Sequence, residues 1–466
     1  MKKIKNMDTL LNSGDRKARE TVLSVLDRTL ARMDSYQVLK NMARLEGDIL
    51  TIGEKVWDLS RKRNVYLIAA GKAANAMAKA FDEILGDRLT DGIAVVKIVE
   101  NDHYDHVRIL QGSHPLPDER SRRAGEEALK MVEGMGEDDL VIGLMSGGNS
   151  ALLSCPMEGI SLEEERQTRD VMLKSGANVV EVNAVCRHIS AVNGGRLAQK
   201  IEEKGAEIIC ILIMDALGYP QTRHPGRPCQ FGFTQFAPDA TTLQDAIDAI
   251  EKYNVKDRLP PNVRAFYETC TEKDETPKTL EKWTGYLINT IPDMTEAAKE
   301  EAEKLGLCTM LLTNSLVGEA REAGKFLASV AAEIQASGRP AKPPCMVIAA
   351  GEVSTTIPGE PAGTGGPGQE LAAGFAITSE GLEGVCLASV DSEGTDGTTD
   401  AAGGITDVLT CRRAEERGTD LYAALREHAV YEALEPLGCE IFTGNTGTNL
   451  CDLHLMYVPE KEEFHE

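Results

Sequence analysis

Short runs that are apolar at every position constrain this chain more than any other feature. Each ends in a glycine turn or a lone acid, and a helical pattern follows. Val65–Ala70 is such a run and turns through Gly71 into an Ala-rich segment, 72–85. Leu140–Met145 is another, ending at Ser146-Gly147-Gly148-Asn149, and 208–214 is a third, ending at Asp215. A strand with one wet face alternates apolar and polar residues, whereas one covered on both faces does not. Such strands, alternating with helices, predict an α/β fold with a mostly parallel sheet. Residues 92–99 read as a further strand, and 15–45 and 243–253 read as helical.

Residues 218–239, rich in Pro, Gly and aromatics, predict a long loop. Segment 254–284 is polar, carries Pro260-Pro261 and predicts an interdomain linker. Beyond it the same idiom returns, with strands expected at 307–313, 346–350 and 384–390 and a helix over 318–337. The expected domains are 1–255 and 256–466. A length of 466 residues allows each a substantial core.

The net charge of −24 argues against a phosphate backbone as partner, and an anionic substrate would need a local basic site. The longest apolar runs fall far short of the ~20 residues of a membrane span. The basic N-terminus lacks the apolar stretch of a signal peptide. Eleven scattered cysteines without a CxxC read as thiols of a reducing cytoplasm.

Ligands of such sheets sit at the carboxyl ends of the strands. Gly71-Lys72 opens a helix there, where free N–H groups and an ammonium suit an anion; a solvated lysine is the competing reading. Ser146-Gly147-Gly148-Asn149-Ser150 allows a phosphate close to the backbone, or is a plain tight turn. No base lies beside Ser146 or Ser150, which disfavours a serine nucleophile. Glu181, Asn183, Arg187 and His188 lie on one stretch, with Asn183 and Arg187 on a shared helix face.

Gly363-x-Gly365-x-x-Gly368 matches a dinucleotide fingerprint, but about twelve residues separate it from the preceding strand, where the fingerprint requires none. A glycine loop approaching phosphates is the expectation here. Asp391, Glu393, Asp396 and Asp400, spaced by Gly, Ser and Thr, suit Mg²⁺ or a substrate hydroxyl, or form an Asx-type turn cluster. Thr446 and Asn449 lie in another polar turn. Glycine cradles, one lysine and scattered acids are what phosphoryl transfer needs.

The motifs LIAAGKAANAMA, GSHPLPDE, MSGGNSALL, EVNAVCRHISAVNGGRLA, GEVSTTIPG, GTDGTTDAAGG and TGNTGTNLCDL resemble those of the glycerate 2-kinase family of MOFRL type, over about 65–458. The resemblance implies two α/β domains, the first Rossmann-like, with the active site in the interdomain cleft. It implies ATP and Mg²⁺, with phosphate passed to the 2-hydroxyl of D-glycerate or a related small hydroxy acid. Lys72, Asp215 and Asp396 are then the catalytic candidates, and Asp396 and Asp400 the metal ligands. Ser146, Gly147, Gly148, Asn149, Glu181, Asn183, Arg187, His188, Glu352, Thr446 and Asn449 would bind substrate or nucleotide.

The chain departs from the family at Asn193, where a lysine is usual, and at Thr364 and Pro367, where arginines are. Gly368 replaces an asparagine, Glu393 stands for the first acid of its loop, and 214–220 keeps only Asp215 of three acids. Arg223 and Arg227 are candidate replacements for the missing cations. Family members also carry a hydroxypyruvate reductase label, so an NAD(P)-dependent reductase is one alternative. A non-catalytic ligand-binding paralogue is the other. The expectation is a cytoplasmic kinase that binds a small anionic hydroxy acid and a nucleotide, but no nucleic acid and no membrane; a homo-oligomer is left open.

Overall fold

The computed structural model describes residues 2–100, 103–215, 234–357, 359 and 363–461. These described residues form two compact units, one within 35–213 and 222–288, the other within 1–34, 214–221 and 289–466. The units differ from the expected domains 1–255 and 256–466. Segment 254–284 is no linker: it builds the helix Pro261–Thr269, and its Val263, Phe266 and Tyr267 pack with Val182, Val185 and Ile250. Most of the loop expected at 218–239 lies outside the described residues, as do Arg223 and Arg227.

The first unit opens with an antiparallel meander that the sequence reading does not anticipate: β1 (Ala43–Glu46), β2 (Ile49–Ile52) and β3 (Lys55–Asp58). Its main sheet holds β4 (Val65–Ala70), β5 (Asp91–Val96), β6 (Val107–Gln111), β7 (Leu140–Met145), β8 (Glu207–Met214) and β9 (Trp283–Thr290). The order is β6-β5-β4-β7-β8-β9, and β4 to β8 pair in parallel throughout. This is a doubly wound, Rossmann-like order that reverses between β4 and β7. Every residue of β7 is buried, as its unbroken apolar run predicts. Ile68, Val95, Val141, Leu197 and Phe236 share the core around it. Capping boxes start the surrounding helices: Asp118 with Ser121 before Glu119–Glu133, and Ser161 with Glu164 before Leu162–Lys174.

The second unit holds β10 (Cys308–Glu319), β11 (Cys345–Ser354), β12 (Cys386–Asp391), β13 (Gly403–Asp407), β14 (Glu440–Ile441) and β15 (Asp452–Val458), in the order β10-β11-β15-β12-β13-β14. Only β10 and β11 pair in parallel, and the other four pairs are antiparallel. The α/β idiom expected here takes the form of a mixed sheet, because the last strand returns through its middle. Val347, Leu371, Phe375, Leu387 and Met456 form the core beneath it. The helix Arg16–Met33 joins this unit through Arg19, wholly buried, whose Nε lies 2.5 Å from Asp407 Oδ2. Among the described residues, no helix is long and apolar enough to cross a membrane.

Candidate active site

In the first unit the turns after β4 and β7 meet at the switch point. Lys72 donates its backbone N–H to the Gly147 carbonyl at 2.9 Å, and Ala73 donates its N–H to Ser146 Oγ at 3.0 Å. Gly71 has φ +131°, and a Cβ there would overlap Ser146 Oγ and the Ser146 backbone. Gly148, at φ +80°, lies against the His114 ring and the aliphatic stem of Lys72. Asn149 donates its side-chain amide to the Ser146 carbonyl at 2.6 Å, and Gln235 braces Asn149 by donating to its carbonyl at 3.0 Å. Ser146 is buried, while Lys72 and His114 are half-buried. Lys72, Ser146, Gly147, Gly148 and Asn149 are thus brought together. His114, just beyond β6, joins them unannounced; its only signal in the sequence is its place in the GSHPLPDE motif.

Asn193 adjoins the same turn, donating its side-chain amide to the Ser150 carbonyl at 3.4 Å. Asn193, expected from the resemblance to be a departure from lysine, therefore lies beside the candidate phosphate cradle. Arg187 is buried and pairs with Asp239 at 3.0 Å, beside Gly194. His188 is wholly buried; its Nδ1 lies 2.7 Å from the Ala184 carbonyl and its Nε2 2.8 Å from Glu275 Oε1. Burial opposes ionisation of Glu275, yet His188 and the Leu243 N–H hold it down to about 2. Glu181 closes the capping box of the helix Val179–His188 with Asn178 and bonds Lys252 at 2.5 Å and Tyr253 at 2.9 Å. Asn183 is half-buried on that helix. The described contacts of Glu181 and His188 are with protein groups that order the helix.

In the second unit, acids gather at one end of the sheet. Asp452 opens β15 and is in register with Gly351 of β11 and Asp391 of β12. Its carboxylate accepts the Val353 N–H at 3.1 Å; burial, with Asp391 and Asp396 nearby, pushes it well above the usual carboxylate range. Glu352 is exposed on β11 beside them. Asp215 accepts a hydrogen bond from the Asn449 side-chain amide at 2.6 Å, and Cys451 donates its thiol to the Asp215 carbonyl at 2.8 Å. Asp215, Glu352 and Asn449 are brought to this cluster. Asp391 and Asp452 complete it; their signal was an acid at each of two strand ends.

Asp396 is buried and accepts the N–H groups of Gly368 at 3.1 Å and Gln369 at 2.9 Å, at the start of the helix Pro367–Thr378. Burial, opposed by those N–H groups, raises it to about 6. A Cβ on Gly366 would overlap this carboxylate. The glycine loop expected to approach phosphates is packed against Asp396 instead. Asp400 is exposed and accepts from the Tyr431 hydroxyl at 3.0 Å. Thr446, wholly buried, donates its hydroxyl to the Ser392 carbonyl and its N–H to Glu393 at 3.2 Å, tying two loops together. Asp396 accepts two helix N–H groups and Asp400 accepts from Tyr431, so these two carboxylates do not by themselves make a closed Mg²⁺ cage. Among the described residues, no group of three or more His, Cys, Asp or Glu side chains is arranged to hold a metal ion.

Two family models match this chain: a domain of unknown function (DUF4147) over residues 21–268, and the MOFRL family over 345–452. A glycerate 2-kinase of Pyrococcus horikoshii is 37% identical over 446 residues, covering 95% of this chain and 98% of its own. The crystal structure of a glycerate kinase from Thermotoga maritima superposes with a TM-score of 0.77 at 33% identity, covering 96% of this chain and 100% of that one. A relative from Agrobacterium vitis bearing a hydroxypyruvate reductase name is 33% identical, covering 84% of this chain and 86% of its own. These similarities establish that the chain belongs to the glycerate 2-kinase family.

Proposed function

We propose that this protein is an ATP-dependent kinase that phosphorylates the 2-hydroxyl of D-glycerate or a related small hydroxy acid. One observation carries the reading furthest: the Lys72 and Ser146–Asn149 turns are laced together by backbone hydrogen bonds where the doubly wound sheet reverses. Phosphoryl transfer asks a protein for positioning and charge neutralisation rather than covalent chemistry. Lys72 supplies the neutralising ammonium, and the glycines let backbone N–H groups approach phosphate oxygens. Asp215, held by Asn449, orients the acceptor hydroxyl and takes its proton. Mg²⁺, where ATP carries it, would neutralise phosphate charge.

Asp396 acts in this reading as a positioning residue for the Pro367–Thr378 helix. That same contact disfavours the reductase. The helix N-terminus that would receive a dinucleotide pyrophosphate already holds a carboxylate, which would repel it. The ten described cysteines are all free thiols, which supports a reducing compartment such as the cytoplasm.

The test is ADP release by the purified full chain with D-glycerate, ATP and Mg²⁺, run beside NAD(P)H oxidation with hydroxypyruvate. The reading expects turnover in the first assay alone. Turnover confined to the second overturns it. Ligand-induced thermal stabilisation without turnover across a panel of hydroxy acids would instead identify the non-catalytic paralogue.

A further inference from the structure

Cys308 and Cys345 open neighbouring strands and lie directly in register across the parallel β10–β11 pair. The Cys308 N–H donates to the Pro344 carbonyl at 3.0 Å, which pins the register at this end. Side chains alternate faces along a strand, so Cys308 shares a face with Met310 and Leu312. Met310 and Leu312 pack against the cluster that contains Cys345 and Val347. Both thiols therefore project from the same face of adjacent strands. Paired strands run ~4.8 Å apart, inside the ~4.4–6.8 Å Cα separation a disulfide accepts.

The pair is asymmetric. Cys308 is exposed, while Cys345 is wholly buried. Burial, with the Cys308 sulfur beside it, pushes the Cys345 thiol up to about 12. Cys308 is thus the thiol an oxidant reaches, and Cys345 is a waiting second thiol.

We propose that Cys308 and Cys345 form an oxidisable dithiol that peroxide closes into a disulfide across β10 and β11. Cys308 attacks hydrogen peroxide, giving a sulfenic acid and one water. The Cys345 sulfur then attacks that sulfenic sulfur; the S–S bond forms, the S–O bond breaks, and the Cys345 proton leaves with the hydroxyl as a second water. Overall, two thiols are oxidised and one peroxide is reduced. The pair lies at the opposite end of the sheet from Asp391 and Asp452, since Cys345 is in register with Val458 and Gly351 with Asp452. This proposal stands apart from the kinase reading.

The test treats the full chain with hydrogen peroxide, blocks remaining thiols by alkylation and maps peptides without reductant. The expected result is a linked pair of peptides carrying Cys308 and Cys345, lighter by two hydrogens and released by dithiothreitol. The link should vanish in Cys308→Ser and in Cys345→Ala. Because Cys308 is exposed, its serine variant keeps the fold intact, and its turnover should stay within twofold of wild type. Oxidation that leaves Cys308 as sulfinic acid with Cys345 alkylated overturns the proposal. So does a disulfide from Cys308 to any other cysteine.

Discussion

The backbone N–H of Lys72 is bonded to the carbonyl of Gly147 at 2.9 Å, so the turns after β4 and β7 are held as one unit. Lys72 and the Ser146 turn thereby keep a fixed spacing whatever ligand they meet. Pre-set donors lose nothing to reorganisation during reaction, which is why such a clamp suits phosphoryl transfer.

Removing the ammonium should leave the clamp intact, because the bond to Gly147 uses only backbone. Lys72→Met is expected to lower kcat by about 10²–10³. The urea unfolding midpoint should match wild type. A variant with undiminished ADP release would remove Lys72 from the chemistry.

Gly71 has neither the space nor the backbone geometry for a side chain, given φ +131° and the Ser146 side chain against it. Gly71→Ala should cost about 1–3 kcal/mol in backbone strain alone, and more from the overlap. Urea denaturation followed by circular dichroism measures this. An unshifted midpoint would mean that the turns are not interlocked.

Asn193 offers the candidate cradle a neutral amide, donated to the Ser150 carbonyl, and no charge. Asn193→Lys is expected to tighten ATP or hydroxy-acid binding by about tenfold, the equivalent of one charge-assisted contact of ~1.5 kcal/mol. Isothermal titration calorimetry decides. Weaker binding of both ligands would show that the amide is itself the matched partner.

Asp396 caps a helix and titrates far from its ordinary range. Its carboxyl is raised from 3.8 to about 6 by burial, so between those values the folded state holds a proton that the unfolded chain has lost. Its contribution is complete below about pH 3.8 and is lost as pH rises through about 6. Asp396→Asn should flatten that part of the stability profile. At neutral pH the variant should be no less stable than wild type, since the neutral amide removes a buried charge that the fold disfavours there. Urea midpoints from pH 4 to 7 test both statements.

His454 has the opposite sign. Wholly buried and 2.8 Å from the Ser389 hydroxyl, it is driven by burial from 6.5 down to about 3. Its contribution is complete above about pH 6.5 and is lost as pH falls through about 3, because the unfolded chain gains a proton first. His454→Gln should make the protein less acid-labile over that window, by on the order of a few kcal/mol. An unchanged acid limb of the stability curve would show that His454 is protonated in the fold.

Local and collective information separate cleanly in this chain. Val65–Ala70 and Leu140–Met145 could be bounded from sequence because a strand covered on both faces writes an unbroken apolar run. Their glycine turns followed, since glycine takes the positive φ of Gly71 and Gly148 without steric cost. The meander at 43–58 was missed because its strands are only four residues each and mixed in polarity.

What the amino-acid sequence determined by itself was the buried strands β4, β7 and β8, the turns at their ends and the family of motifs those turns carry. Tertiary structure alone decided that Glu275 would claim His188, that Asp407 would claim Arg19 from far along the chain, and that Asp396 would accept two N–H groups at a helix start. The physical reason is one of range. Periodicity and backbone strain act over a few residues and leave marks there, while a buried charge takes whichever partner folding brings within 3 Å.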